Sequence, residues 1–340
     1  MFNLISRLRE PAIFQGNLRN KNYFEGWYFK QTDKKGETKL AIIPGVSLTR
    51  EDRHAFIQVF DGVENKSHYI KYPLSMFKPT KSPFLINIGR NRFSYKGIDL
   101  DIDDDIRVKG RLDYTNQTKF RASPWMRGVM GWYGYIPFME TYHGLLSLDH
   151  TVNGVVKIND SSLIFQKAKG YMEKDWGTSF PSAWIWMQGN CFKEPKTSIM
   201  LSIAVIPWLG SSFIGHLAVI LNEEKLINLS KYAGGKVSSL VKKPSGVIIT
   251  IESKTHSLEI DASQGEAVDL KSPEKGVMTG KTVESLSSHI KLKLSNKKKK
   301  TLVYSGETYG AGLEIMDPHD RIIKDLYLDS KSVYNKTSIT

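Results

Sequence analysis

The sequence feature that most restricts the possible folds is a long series of short, strand-like segments. Examples are "KLAIIPGVSL" (39–48), "HAFIQVFDG" (54–62), "GVIITIES" (246–253) and "HIKLKLS" (289–295). These segments are rich in β-branched and aromatic residues and are separated by Gly, Asn, Asp or Ser, which is typical of β-strands joined by turns. Helical turns are expected only near residues 2–9 and 125–131. The sequence therefore predicts an all-β protein.

The order of the strand-like segments occurs twice. An aromatic strand with Trp27, then "KLAIIPGVS", then "HAFIQVFDG" is echoed by a strand with Trp184 and Trp186, then "SIMLSIAVIPW", then "FIGHLAVILN". This order indicates duplication of one antiparallel β-barrel unit. Barrels remove exposed strand edges, and an eight-stranded barrel can enclose one small ligand. At 340 residues the chain is long enough for two such domains, which we place at 1–180 and 181–340.

Charge and composition restrict the partners. The formal net charge is +13, and a run of lysines at 297–300 concentrates part of it. This run is either a solvated hairpin tip or a contact for an anionic membrane surface. No nucleic-acid partner is expected, because no helix-turn-helix, zinc-finger or RNP-type signature accompanies the charge. The N-terminal residues lack a secretory signal and no segment is apolar enough to span a membrane, so we expect a cytoplasmic protein with peripheral membrane contact.

Several enzyme classes lack their sequence signatures. The chain has no GxSxG, no Gly-rich phosphate loop and no dinucleotide fingerprint. Its eight histidines are scattered without an HExxH pair, and its single cysteine, Cys191, excludes an internal disulfide. We therefore expect neither a cofactor nor a metal ion.

Three dense blocks combine aromatic residues with carboxylates or histidine: "YFEGWYFK" (23–30), "MGWYGYIPFMETYHGLLSLDH" (130–150) and "GYMEKDWGTSFPSAWIWMQGN" (170–190). The aromatic side chains could simply form the core. A carboxylate flanked by large apolar residues is different, because once buried it must be paired, hydrogen-bonded or protonated. Glu25 and Asp175 are therefore functional candidates.

The three blocks resemble the tocopherol cyclase family. The segments "FQGNLRNKNYFEGWYFK", "MGWYGYIPFMETYHGLLSLDH", "EKDWGTSFPSAWIWMQGN" and "AGLEI" (311–315) come in the family's order and span nearly the whole chain. The resemblance implies two consecutive lipocalin-like β-barrels, a fold shared with carotenoid hydratases and some pericyclases. Plant members carry a plastid transit peptide that the opening of this chain does not show, so the chain resembles a bacterial homologue.

The reaction implied by the resemblance closes a chromanol ring. The first alkene of a prenylated hydroquinone is protonated, and the neighbouring phenol oxygen captures the tertiary carbocation. A carboxyl group kept neutral in an aromatic setting suits this task, and indole faces can stabilise the cation. We expect Asp175 to be the general acid, Glu25 to be the second candidate and His143 to orient or deprotonate the phenol. The expected substrate-binding residues are Trp27, Tyr28, Tyr142, His150, Trp176, Trp184, Trp186, Gln188 and Asn190.

Two other functions use the same fold. An isoprenoid hydratase or a pericyclase would apply related alkene chemistry, and a hydratase would admit a water molecule to the cation. A non-catalytic protein that binds prenylquinones or other lipids would need the barrel without the acid. In all three cases the partner is a hydrophobic, prenylated small molecule or a related lipid.

Overall fold

The computed structural model describes residues 10–120, 126, 128–137, 139–208 and 210–327, and nearly all of its regular structure is β. The strands are β1 Tyr23–Thr32, β2 Lys39–Leu48, β3 Arg53–Asp61, β4 Lys66–Pro73, β5 Phe77–Pro79, β6 Leu85–Ile88, β7 Asn91–Ser94, β8 Gly97–Asp103, β9 Arg107–Thr118, β10 Thr141–Ile158, β11 Ser161–Gly177, β12 Trp184–Gly189, β13 Ser198–Trp208, β14 Ser211–Asn222, β15 Lys225–Asn228, β16 Lys236–Lys243, β17 Gly246–Glu252, β18 His256–Ser263, β19 Val268–Glu274, β20 Val277–Asn296 and β21 Thr301–Met316.

Helical structure is short. The 3-10 turns are Leu74–Met76, Gly128–Tyr135, Lys231–Ala233 and Pro318–Asp320, and residues 321–327 are α-helical. The turn expected near 125–131 overlaps Gly128–Tyr135, whereas the turn expected near 2–9 lies outside the described residues. None of the helices in the described part of the chain is long and apolar enough to cross a membrane.

In some strands, buried apolar residues alternate with more exposed polar residues. In β8, "GIDLDID", the side chains of Ile98, Leu100 and Ile102 are buried while the residues between them are partly exposed. Side chains of a strand point alternately to the two faces of the sheet, so this pattern directs one face into a core. The apolar faces of β1 to β11 form one hydrophobic cluster, and those of the later strands form a second one.

The first sheet has eleven strands in the order β4-β3-β2-β1-β11-β10-β9-β8-β7-β6-β5, and its paired strands are antiparallel. The outermost strands, β4 and β5, are consecutive in the chain and are joined by Leu74–Met76. The sheet therefore curls into a nearly closed barrel whose interior is filled by side chains.

The second sheet repeats this topology in the order β15-β14-β13-β12-β21-β20-β18-β17-β16, with β19 paired to β20. In this order β15, β14, β13 and β12 correspond to β4, β3, β2 and β1 of the first sheet, and β21 takes the place of β11. The outermost strands, β15 and β16, are again consecutive in the chain. The repeat predicted from the sequence is thus present, and the predicted fold class of two consecutive lipocalin-like antiparallel β-barrels is confirmed.

The chain divides into two compact units. The first contains residues 1–180 and 266–282, and the second contains 181–265 and 283–340. In the first unit, the Gln58 amide donates from Nε2 to the Lys271 carbonyl oxygen at 2.9 Å, and the Gln58 Oε1 accepts from the Lys271 backbone N–H at 2.8 Å. These bonds attach β19 to β3 of the same unit.

Candidate active site

The 170–190 block contains three consecutive charged residues, Glu173, Lys174 and Asp175, which lie in β11. The strand directs them to different faces of the sheet. Glu173 and Asp175 point to one face of the sheet, and Lys174 and Trp176 point to the other. Trp176 belongs to the hydrophobic cluster of the first barrel. The triplet therefore supplies two different sites, one carboxylate pair outside the barrel and one cation within its core.

On the outer face, His143 of β10 lies between the two carboxylates of β11. It is paired in register with Asp175, its Nδ1 is 2.8 Å from Asp175 Oδ1, and its Nε2 is 3.3 Å from Glu173 Oε2. The Tyr171 hydroxyl donates to Glu173 Oε2. The backbone N–H of His143 donates to Met130 Sδ at 3.1 Å, which attaches the 3-10 segment over the site. We call His143, Glu173 and Asp175 the carboxylate–histidine cluster.

The two ends of the cluster differ in exposure. The Asp175 side chain is 24% exposed, whereas that of Glu173 is 6% exposed. The buried end continues to Tyr171, which has no exposure. Asp175 is therefore the member of the cluster that a bound molecule can reach most easily.

The electrostatics of the cluster keep a proton on the imidazole. Burial opposes the charged form of His143, but the Asp175 and Glu173 carboxylates outweigh it and hold the pKa of His143 well above its usual range. Burial, assisted by Glu173, likewise raises the pKa of Tyr171 well above its usual range, so this phenol stays a donor. The donor atoms of the three cluster residues lie within 4.8 Å of one another, so they could also accept a metal ion in competition with the proton.

Glu25, the second candidate for the acid, occupies a different site in the core. Both of its oxygens accept from the backbone N–H of Gln15, at 2.9 and 3.0 Å, and Oε2 also accepts from Gly16 N–H at 3.0 Å and from the Tyr23 hydroxyl at 2.5 Å. Lys174 Nζ lies 2.6 Å from Oε1, and neither side chain is exposed. Glu25 thus has a counter-charge and a full set of donors.

Lys174 extends the same site to the segment that precedes β1. Its Nζ donates to the carbonyl oxygens of Pro11 and Ile13 at 2.6 and 2.8 Å. It also lies 4.9 Å and 4.6 Å from the ring centroids of Trp27 and Trp176, within the range of cation–π attraction. The Glu25–Lys174 ion pair therefore fixes residues 11–16 against the barrel.

The structure does not bring several predicted binding residues of the first unit together with Asp175. Trp27 has no exposure and donates from Nε1 to a backbone carbonyl at 2.7 Å within the core. Tyr142 stacks on Trp176 at 5.6 Å on that same inner side. His150 is buried further along β10, and burial lowers its pKa to about 3.

Tyr28 is the predicted binding residue that does lie beside the cluster. It is paired in register with Glu173 in the β1–β11 ladder, so the two side chains share a face. Its ring meets that of Tyr171 edge to face at 6.5 Å. Two tyrosine rings, Tyr28 and Tyr171, therefore lie beside the cluster.

The remaining predicted residues belong to the second unit, where β12 carries them on the face opposite its core. Trp184 Nε1 donates to Glu314 Oε2 at 2.5 Å, and Trp186 is almost fully buried. Gln188 is fully buried, and neither its Oε1 nor its Nε2 has a hydrogen-bond partner among the residues that the structure describes. Asn190, just beyond β12, is also buried. The binding roles of these four residues stay predictions.

Sequence reasoning missed Glu173 and the partner of Glu25. The signal was present in "EKD": in a strand, the first and third residues share a face and the second faces the other way. Assigning the segment to a strand would have grouped Glu173 with Asp175 and separated Lys174 from both. The histidine between them comes from the neighbouring strand and requires the register.

Comparisons with known proteins converge on one family. The model of the family described as "Tocopherol cyclase-like" matches residues 107–316, more than half of the chain. A probable chloroplastic tocopherol cyclase of Oryza sativa subsp. japonica is 29% identical over 97 residues, and the chloroplastic tocopherol cyclase of Zea mays is 30% identical over 74 residues. These matches cover 28% and 22% of this chain, and 19% and 16% of the plant proteins.

Solved structures share the fold at low sequence identity. The crystal structure of CghA with Sch210972 superposes with a TM-score of 0.56 at 10% identity, covering 86% of this chain and 88% of that one. Kievitone hydratase from Nectria haematococca superposes with a TM-score of 0.50 at 11% identity, covering 87% and 90%. At these identities the likeness concerns the architecture.

Proposed function

This chain belongs to the tocopherol cyclase-like family, and we propose that it is a cyclase that closes a chromanol ring on a prenylated hydroquinone. The activity is an isomerisation in which Asp175 is the general acid and His143 its partner. The supporting observation is the carboxylate–histidine cluster, with Asp175 at its most exposed position and His143 Nδ1 at 2.8 Å from it. The cluster combines a proton reservoir with a donor that can orient a phenol.

The proton count of the cluster suits this reaction. With His143 as imidazolium and both carboxylates ionised, the three groups carry a formal charge of −1, and one further proton makes the cluster neutral. That proton is delivered from Asp175 to the less substituted carbon of the prenyl alkene, which leaves a tertiary carbocation. The phenol oxygen then forms the new C–O bond, and its proton returns to the cluster. Substrate and product are isomers, and no oxidant is consumed.

The positive charge on His143 has a role in each half of the cycle. While Asp175 carries the proton, the imidazolium at 2.8 Å orients its carboxyl group. Once the proton has left, the same imidazolium stabilises the new carboxylate.

The direct test is Asp175→Asn, assayed with a prenylated hydroquinone and chromatographic detection of the chromanol. The amide keeps the size of the side chain but cannot supply the proton. We expect kcat to fall by about 100-fold or more, with little change in KM or melting temperature. A matched control is Asp113→Asn, the same replacement at an exposed position of the same barrel, which should leave the rate unchanged.

Three outcomes would contradict the proposal in different ways. Full activity in Asp175→Asn would remove this residue from the chemistry. An alcohol in place of the chromanol would assign the cluster to a hydratase. Retention of a prenylated lipid by the wild-type protein, without turnover of any prenylated hydroquinone, would identify a lipid-binding protein. Native mass spectrometry of the purified protein distinguishes this last case.

A further inference from the structure

The second barrel has a concentration of lysines at one end of its sheet. Residues Lys297–Lys300 form the turn between β20 and β21, and all four are exposed. The run therefore lies at a hairpin tip, one of the two positions that the sequence suggested for it. The strands that flank the turn, β20 and β21, are paired to Asn296 and Thr301, so the turn is short and presents its side chains to solvent.

Neighbouring strands bring two more lysines to the same end. The backbone N–H of Lys297 donates to the Thr255 carbonyl oxygen at 2.8 Å, in the turn that carries the exposed Lys254. Lys236 is paired in register with Glu252, which precedes that turn. Glu252 is the acidic residue here, and it is already ion-paired with Lys297. Six lysines and one glutamate therefore give these positions a formal charge of +5.

Exposed apolar side chains follow the lysine run directly. Leu302 is 58% exposed and Val303 is 38% exposed, although both lie within β21. A β-strand normally directs such residues to a core, and here they lie beside Lys300 at the end of the hairpin. We call Lys236, Lys254, Lys297–Lys300, Leu302 and Val303 the lysine tip.

We propose that the lysine tip docks the protein on an anionic phospholipid surface. Lysines near such a surface each contribute about 1 kcal/mol of attraction. Leu302 and Val303 can enter the boundary between headgroups and acyl chains, a contact that charge alone would not provide. The exposed neighbours of the lysines are aliphatic, whereas single-stranded nucleic acids are bound through aromatic stacking platforms. The composition of the tip therefore fits a lipid surface better than a nucleic acid.

The docking proposal is independent of the proposed cyclase activity, because it concerns residues that the reaction does not use. The two are nevertheless compatible. A prenylated hydroquinone partitions into a bilayer, so a cyclase docked on that bilayer would find its substrate there. The tests below measure lipid binding first, and activity only as a separate readout.

The experiment is co-sedimentation with vesicles of phosphatidylcholine alone or mixed with phosphatidylglycerol. Wild-type protein should bind the mixed vesicles, and binding should weaken as added salt screens the charges. The variant Lys298→Ser/Lys299→Ser/Lys300→Ser should partition about 100-fold more weakly, the product of three lysines at about 1 kcal/mol each. Its melting temperature should not change, because all three side chains are exposed.

Two further variants distinguish the contribution of the lysine tip to vesicle binding from that of the net charge of the protein. Lys34→Ser/Lys35→Ser/Lys157→Ser removes the same charge from exposed positions of the first barrel and should bind like wild type. Leu302→Ser/Val303→Ser keeps all charges and should bind about tenfold more weakly. Turnover of a detergent-dispersed prenylated hydroquinone by the tip variants should equal that of wild type, and only turnover of vesicle-bound substrate should fall.

The proposal is overturned if the wild-type protein does not bind the anionic vesicles, or if the tip and control lysine variants lose binding equally. It is also overturned if Leu302→Ser/Val303→Ser binds the vesicles as tightly as the wild-type protein. Tighter binding to an RNA or DNA oligonucleotide than to the vesicles, lost in the tip variant, would make the lysine tip a nucleic-acid surface instead. Each of these results can be obtained whether or not the protein proves to be a cyclase.

Discussion

Replacing Lys174 by methionine tests the buried ion pair that ties residues 11–16 to the first barrel. Methionine has a similar length and fills the volume, but it leaves the Glu25 carboxylate without the counter-charge at 2.6 Å. It also leaves the carbonyl oxygens of Pro11 and Ile13 without their donor. Removing one partner of a fully buried pair costs about 3–5 kcal/mol, since the remaining charge stays desolvated.

Urea unfolding of the full chain measures this loss. With a slope of about 2 kcal/mol per molar urea, the transition midpoint of the first barrel should fall by about 1.5–2.5 M. The double variant Glu25→Gln/Lys174→Met should recover part of the loss, because it no longer buries an unpaired charge. The control is Lys281→Met, which removes an exposed ion pair with Asp269 in the same unit and should cost less than about 1 kcal/mol. A loss from Lys174→Met as small as that of the control would refute the argument.

Two further predictions concern the carboxylate–histidine cluster and the strand end beside it. The pKa of His143 in the folded protein is raised above its usual 6.5, so the stabilisation by the protonated imidazole is complete below about pH 6.5 and is lost as the pH rises through the folded-state pKa. The variant His143→Gln should lack this loss when the urea midpoint is measured as a function of pH. An identical pH profile in the two proteins would contradict the prediction. Gly177 ends β11 with φ of 151°, and a Cβ there would lie 2.0 Å from the Glu140 carbonyl oxygen, so Gly177→Ala should cost at least about 2 kcal/mol in thermal unfolding. Gly234→Ala, which combines a positive φ with open space, should cost less, and equal losses would show that the close approach is unimportant.

Much of the fold could be read from local patterns. Period-two alternation in segments such as "GIDLDID" predicts strands because it reflects which face is buried, and the repeated order of β1–β3 in β12–β14 is visible in the sequence. The strands β11 and β21 are harder to predict from local sequence patterns. In β11 the residues from Gly170 to Lys174 are buried on both faces, so the segment carries charged residues where a core strand would have apolar ones.

The candidate site was only partly predictable for the same reason. The sequence by itself determined that Glu25, His143 and Asp175 occur among large aromatic residues, where an ionisable group needs a partner if it is buried. Only the tertiary structure decided the partners: Glu25 meets Lys174 in the core, and His143 meets Asp175 and Glu173 on the outer face. A single strand defines two faces through its own periodicity, but which residues of other strands lie opposite depends on sheet order and register. The pairing of β1 with β11, which brings Glu25 to Lys174, joins segments far apart in the chain, so the sequence of either strand alone does not reveal it.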